Sequence, residues 1–148
     1  MQVRAPASPT DFEKYYRLRW EVLRAPWQQP IGSERAADDV TATHLMLLNE
    51  KEEALGVCRL HLATPEEAQI RFMAIHPDYQ GQGLGQKLLA QAEEKAQAAG
   101  ATIITLQARE NAVKFYQKCG YQLLEKTHLL FDEIQHYKMC KSLENKGA

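Results

Sequence analysis

The stretch Gln80-Gly81-Gln82-Gly83-Leu84-Gly85 constrains this chain more than any other. It follows an apolar run, Ile70 to Ile75, and precedes an amphipathic segment, Leu84 to Ala99. Glycine has no Cβ and reaches positive φ at little cost, so closely spaced glycines let the backbone turn tightly and expose successive N–H groups. At a helix N-terminus those donors, together with the helix dipole, favour an anion. The stretch therefore reads either as a phosphate-binding turn or as an unliganded strand-to-helix connection. Two common nucleotide motifs are excluded. A Walker A loop needs Gly-Lys followed by Ser or Thr, which is missing here. A dinucleotide fingerprint beginning at Gly81 needs glycine at position 86, where Gln86 stands.

The segments around the turn have clear periods. Thr10-Asp11-Phe12-Glu13 has the capping-box pattern, Thr as N-cap and Glu at N3. Phe12, Tyr15, Tyr16, Arg19, Val22 and Leu23 then repeat at helical spacing, which predicts a helix from Asp11 to about Arg24, stopped by Pro26. Residues 25–39 read as a long loop with a helical turn after Ser33, and Trp27 in it reads either as exposed or as folded onto the core as a lid. A loop of that length is usually functional or disordered. His44–Leu48 and Ala54–Leu62 read as an antiparallel hairpin, and Ala68–Ile75 as the third strand of the meander, ended by Pro77. A short first strand near Val3 is weakly marked. Leu84, Leu88, Leu89, Ala92, Ala96 and Ala99 form the buried stripe of the next helix, closed by Gly100. A strand over 101–108 follows, parallel to the third strand as in a strand–helix–strand unit. A short helix over 111–118 and strands over 121–124 and 134–140 complete the chain, and 144–148 reads as a frayed tail.

The length of 148 residues suits a single domain, 1–148. A net charge of −1 gives no basic face for nucleic acid. No apolar run approaches the roughly 20 residues of a membrane span. Cys58, Cys119 and Cys140 form an odd, unspaced set, which points to reduced thiols, no zinc site and a cytoplasmic protein.

Gln80, Gly83 and Gly85 match the pattern Arg/Gln-x-x-Gly-x-Gly/Ala. With the preceding Phe72-Met73-Ala74-Ile75-His76-Pro77, this resembles the acyl-CoA signature of the GNAT superfamily of N-acyltransferases. A second block, Asn111 to Tyr121, is similar to the family's Asn-x-x-Ala-x-x-Phe-Tyr-x-Lys-x-Gly-Phe segment, with alanine one place early. The stretch Asp132 to Met139 resembles the ending of a small bacterial ElaA-like branch. The resemblance implies an α/β (mixed α+β) fold. Its sheet would hold six or seven strands, with an antiparallel N-terminal meander splayed from a C-terminal half, flanked by about four helices.

It also implies acetyl-CoA, or another short acyl-CoA, as donor and a small-molecule or protein amine as acceptor, with no metal and with a homodimer as one possible assembly. The splay would offer backbone groups of Met73, Ala74 and Ile75 to the pantetheine, in the manner of an added strand. Amides of Gly81, Gln82, Gly83, Leu84, Gly85 and Gln86 would hold the pyrophosphate, and Asn111, Phe115 and Lys118 are further CoA-binding candidates. A donor near Met73 or Ala74 would stabilise the oxyanion, an effect worth about 3–4 kcal/mol in comparable sites. Tyr116 stands where the family often carries the general acid; a phenol is protonated at neutral pH and can donate to a thiolate.

The general base is less defined. Gln69 stands where some members carry a catalytic Glu, and an amide takes no proton. Glu66, Glu67, Glu110, His44, His61, His128 and His136 remain, with His136 favoured by the ElaA-like ending and a water relay as the alternative. Arg71 and Trp27 are the acceptor-side candidates. Gln80 and Gln82 replace the usual basic residues, which leaves backbone amides and Lys87 for the phosphates. A catalytically silent acyl-CoA sensor and a lactone-type amine acyltransferase are the competing readings.

Overall fold

The computed structural model describes residues 1–143, so the tail 144–148 lies outside the described residues. The elements run β1 (Gln2–Arg4), α1 (Pro9–Leu23), β2 (Thr43–Leu48), β3 (Ala54–Leu62), β4 (Glu67–Ile75), α2 (Leu84–Ala98), β5 (Ile103–Arg109), α3 (Val113–Lys118), β6 (Gln122–Leu130) and β7 (Ile134–Ser142). The strands form one mixed sheet in the order β1-β2-β3-β4-β5-β7-β6. β4 and β5 are parallel, Glu67↔Ile103 to Ile70↔Leu106, as the strand–helix–strand spacing predicts. The β1/β2, β2/β3, β5/β7 and β6/β7 pairs are antiparallel.

Three α-helices flank the sheet among the described residues, where about four were expected. The difference lies in the 25–42 loop. Pro26, Pro30 and Gly32 allow it only single 3₁₀ turns, Ala25–Trp27 and Ala37–Val40. The N-terminus of α1 also differs from the predicted capping box. Ser8 is the N-cap, accepting from the Asp11 N–H at 3.1 Å, and Pro9 takes the first helical position. Asp11, not Glu13, closes the cap by accepting from the Ala7 N–H at 3.0 Å. The hydrogen bond from Arg4, helped by that N–H, holds its carboxyl down at about 2. β6 runs six residues beyond the predicted end at Leu124, to Leu130. Two register shifts interrupt it, between Leu123 and Glu125 and between Lys126 and Leu129, and these bulges erase the period-2 pattern by which a strand is recognised.

The chain packs as two compact units, one of Met1–His61 with Phe72–Ala92, the other of Leu62–Arg71 with Glu93 onward. In the first, Tyr15, Leu18 and Leu23 of α1 pack with Met46, Leu48, Val57 and Ala74. Leu88 and Leu89 of α2 are fully buried, each a contribution of about 1.5–3 kcal/mol from apolar burial. In the second, Ile104, Leu106 and Met139 form the apolar centre. There Glu93 accepts from the Tyr121 hydroxyl at 2.9 Å and from Lys141 at 3.0 Å.

All three cysteines are free. Burial pushes the Cys58 thiol up to about 12. Native protein treated with iodoacetamide at pH 8 is therefore expected to keep Cys58 unmodified by mass spectrometry, whereas denatured protein alkylates there, because only the thiolate reacts.

Candidate active site

The turn after β4 is built by local bonds. The His76 N–H donates to Leu55 O at 2.8 Å, anchoring the end of β4 to β3. Pro77–Tyr79 forms a 3₁₀ turn whose Asp78 N–H is accepted by His76 Nδ1 at 3.1 Å. Gln80 Nε2 reaches back to Ile75 O at 3.1 Å. Gly81 and Gly83 stand at φ 77° and 80°, the left-handed region that glycine enters without strain. Gly83 O accepts the Lys87 N–H at 3.2 Å, so the first turn of α2 begins at this glycine. A Cβ built on either glycine would meet nothing within 4 Å. Their conformation thus answers to φ and not to crowding, and the space over the turn is open. Helical geometry directs the first N–H groups of the 15-residue α2 out of this turn without intrahelical acceptors.

Two details differ from expectation. The Ile75 carbonyl, assigned to pantetheine, is bonded by the Gln80 amide, so Gln80 pins the turn to the strand. Lys87, assigned to phosphate, donates to Met1 O at 3.3 Å. Ala74 is buried in the core cluster, while Met73 and Ile75 are half-buried.

Phe72, one residue before Met73, stands at φ 54°. For a non-glycine residue that conformation costs about 1–2 kcal/mol. It interrupts regular extension between Arg71 and Met73, so strand alternation does not carry across it. Arg71 itself is exposed.

Around Phe72 lies a polar core that the sequence reading missed. Arg19 and Arg59 are fully buried. Asp39 bridges them, with Oδ2 accepting from Arg19 Nη1 at 2.9 Å and Oδ1 from Arg59 Nη1 at 2.8 Å. Asp38 accepts from Arg59 at 2.6 and 3.0 Å. Glu34 O accepts from Arg19 at 3.1 Å, and the Glu34 carboxylate holds the Gly32 N–H at 2.7 Å. Burial would push the Asp39 carboxyl up, but bonds from Arg59 and the Ala36 N–H, with the charge of Arg19, hold it down at about 2. The 25–42 loop is therefore tied down by ion pairs. Trp27 is half-buried in its 3₁₀ turn, not exposed. A signal was present in the sequence: Arg19 on the buried stripe of α1 and Arg59 in an apolar strand both demand carboxylate partners, and Asp38-Asp39 supplies them.

Among the base candidates, His44 is structural. It is buried, its Nε2 donates to Asp39 O at 2.7 Å and its Nδ1 lies 2.7 Å from the Tyr15 hydroxyl. Burial lowers its pKa, which keeps it neutral. His61 Nδ1 accepts from Arg59 Nη2 at 3.2 Å.

The other assigned residues belong to the second unit. Asn111 lies in the 3₁₀ turn Glu110–Ala112, and Phe115, Tyr116 and Lys118 lie on α3. Asn111 and Lys118 are exposed and Phe115 is half-buried. Tyr116 is 8% exposed, its ring edge-on to Phe115 at 5.1 Å and to Tyr121 at 5.6 Å. His136 is buried opposite Arg109 on β5. Its Nδ1 donates to Ile134 O at 3.0 Å, which fixes Nε2 as the basic nitrogen of the neutral ring. Its ring stacks on exposed His128 at 4.2 Å. Among the described residues no cluster of His, Cys, Asp and Glu has metal-site geometry, and no helix is long and apolar enough to cross a membrane.

A glycine turn thus opens α2 after an interrupted β4, within a seven-stranded mixed sheet. The Acetyltransferase (GNAT) family matches residues 12–121, and the chain belongs to that family. It is 35% identical over 97 residues to the uncharacterized N-acetyltransferase ycf52 of Gracilaria tenuistipitata var. liui, covering 64% of this chain and 53% of that protein. The chain thus spans about half the length of that relative. Escherichia coli ElaA shares the fold at TM-score 0.80 and 18% identity, covering 95% of this chain and 97% of ElaA. An aminoglycoside 6′-N-acetyltransferase in complex with coenzyme A shares it at TM-score 0.82 and 12% identity, covering 99% of each chain.

Proposed function

We propose that the protein transfers an acetyl or other short acyl group from acyl-CoA to a primary amine by direct attack. The observation that carries this reading is the open turn Gly81–Gly83, at φ 77° and 80°, which leads into the N-terminus of α2. Its backbone donors suit the pyrophosphate of CoA, and they suit it without basic side chains, since Gln80 and Gln82 are neutral. Met73 and Ala74 offer backbone groups to the acyl arm, while the Ile75 carbonyl is held by Gln80. Asn111, Phe115 and Lys118 are assigned to CoA through the family motif. The amine nitrogen attacks the thioester carbonyl, a C–N bond forms, the C–S bond breaks, and Tyr116 gives its proton to the departing thiolate. His136 is the candidate base by virtue of its basic Nε2. Arg71 and Trp27 remain the acceptor-side candidates.

The test is release of free thiol from acetyl-CoA across a panel of small amines and peptide N-termini. Turnover with any amine supports the reading. CoA binding without turnover on the whole panel supports a silent acyl-CoA sensor instead. Gly83→Ala is expected to strain the turn by about 1–2 kcal/mol, and so to raise the Kd for CoA about 5- to 30-fold by calorimetry. Gly32→Ala, also at positive φ with open space around it, is the control and should leave the Kd unchanged.

A further inference from the structure

We propose that Arg19 and Arg59 are positioning residues that act through Phe72, forming a guanidinium clamp that holds the kink of β4 and so aims the Met73 peptide at the acyl donor. The inference rests on the acyl-transfer reading for its consequence but not for its geometry. The kink is real in the backbone: Phe72 is at φ 54°, a region that bulky residues enter only when their surroundings impose it. The surroundings here are cationic. The Arg19 guanidinium carbon lies 4.2 Å from the centre of the Phe72 ring, that of Arg59 5.5 Å and that of Arg24 5.7 Å. A phenyl ring attracts such cations through its electron-rich face, most strongly when both partners are out of water.

The two buried arginines also carry a mark of this role. Their outer nitrogens are fastened to Asp39 and Asp38, yet Arg19 Nε and Arg59 Nε are buried with no hydrogen-bond acceptor among the described residues. A buried donor without an acceptor is rare and calls for an explanation. The Phe72 ring lies near both guanidiniums, whereas the Tyr15 and Tyr16 rings, 5.0 and 4.9 Å from the Arg19 guanidinium carbon, flank Arg19. Asp39, with one oxygen on each arginine, fixes the spacing of the clamp. Phe72 is thus packed against ion-paired guanidiniums, and the next peptide, bearing the Met73 N–H, takes its direction from the φ of residue 72. Extended geometry at residue 72 would turn that N–H elsewhere.

The test uses two substitutions at the ring and two readouts. Phe72→Leu keeps apolar bulk and removes the π face; Phe72→Tyr keeps the face. In isotope-labelled full-length protein, the HN–Hα coupling of residue 72 reports φ directly. The wild type and Phe72→Tyr should show the left-handed value, and Phe72→Leu a shift toward the extended one, with the Met73 amide resonance displaced. In steady-state assays, Phe72→Leu should lower kcat about 10-fold or more, with the CoA Kd within about twofold of wild type, while Phe72→Tyr restores kcat. A left-handed coupling retained in Phe72→Leu overturns the clamp, whatever the activity. An altered coupling with undiminished kcat, or equal losses in Phe72→Leu and Phe72→Tyr, overturns its catalytic consequence. Should wild type turn over no amine, the acyl-transfer reading fails while the coupling still decides the clamp.

Discussion

Tyr116→Phe is expected to lower kcat by about 100-fold or more, the lower end of what a positioned general acid contributes. In the proposed reaction the departing group would be the thiolate of coenzyme A, and a phenol donating to it would spare the transition state a full negative charge. Phenylalanine keeps the ring, so the edge-on contacts to Phe115 and Tyr121 persist. One buried hydroxyl is lost, and with it about 1 kcal/mol of stability. The two effects separate in measurement: the loss should fall on kcat, with CoA affinity and the melting temperature close to wild type. Undiminished turnover in Tyr116→Phe would remove Tyr116 from the proton-transfer step.

The glycine turn was legible in the sequence because its chemistry is local. Gly81 and Gly83 announce positive φ, and an apolar run before and an amphipathic run after fix what the turn connects. The α2 stripe from Leu84 to Ala96 and the parallel pairing of β4 with β5 were legible for the same reason, while Ala99, read as the end of the stripe, lies exposed beyond the helix. The capping of α1 was misread because two overlapping patterns compete, and Pro9 at the first helical position decides for Ser8. The end of β6 was hidden by its bulges. The Arg19–Asp39–Arg59 core was hidden differently. Its partners are 20 residues apart in sequence in each pair, so Arg19 and Arg59 in apolar surroundings ask for carboxylates without saying which. Asp39 fits a polar loop, and only its burial joins it to the two arginines. Phe72 shows the limit most clearly, since nothing in Ile70 to Ile75 signals a left-handed residue within a strand.

Asp39→Asn should destabilise the fold by about 3–5 kcal/mol, because it leaves two buried guanidiniums sharing a neutral amide. A melting temperature lower by about 10 °C or more is the expected reading. Asp38 does not rescue it: half of that side chain is exposed, and its ion pair is with Arg59. The dependence on pH identifies the cause. The folded-state pKa of Asp39, about 2, lies below its ordinary 3.8, so its contribution is fully present above about pH 4. It is lost as pH falls from there through about 2, when the carboxyl protonates in the folded state as well. Asparagine has no such titration. Urea unfolding at a series of pH values should therefore show the gap between wild type and Asp39→Asn wide at pH 5 to 7 and narrowing from pH 4 toward pH 2. Asp11, also depressed to about 2, titrates in both proteins and cancels from the difference. A gap that stays constant over that range would mean that Asp39 holds the loop by shape and hydrogen bonding, and that its charge contributes little to the clamp beneath Phe72.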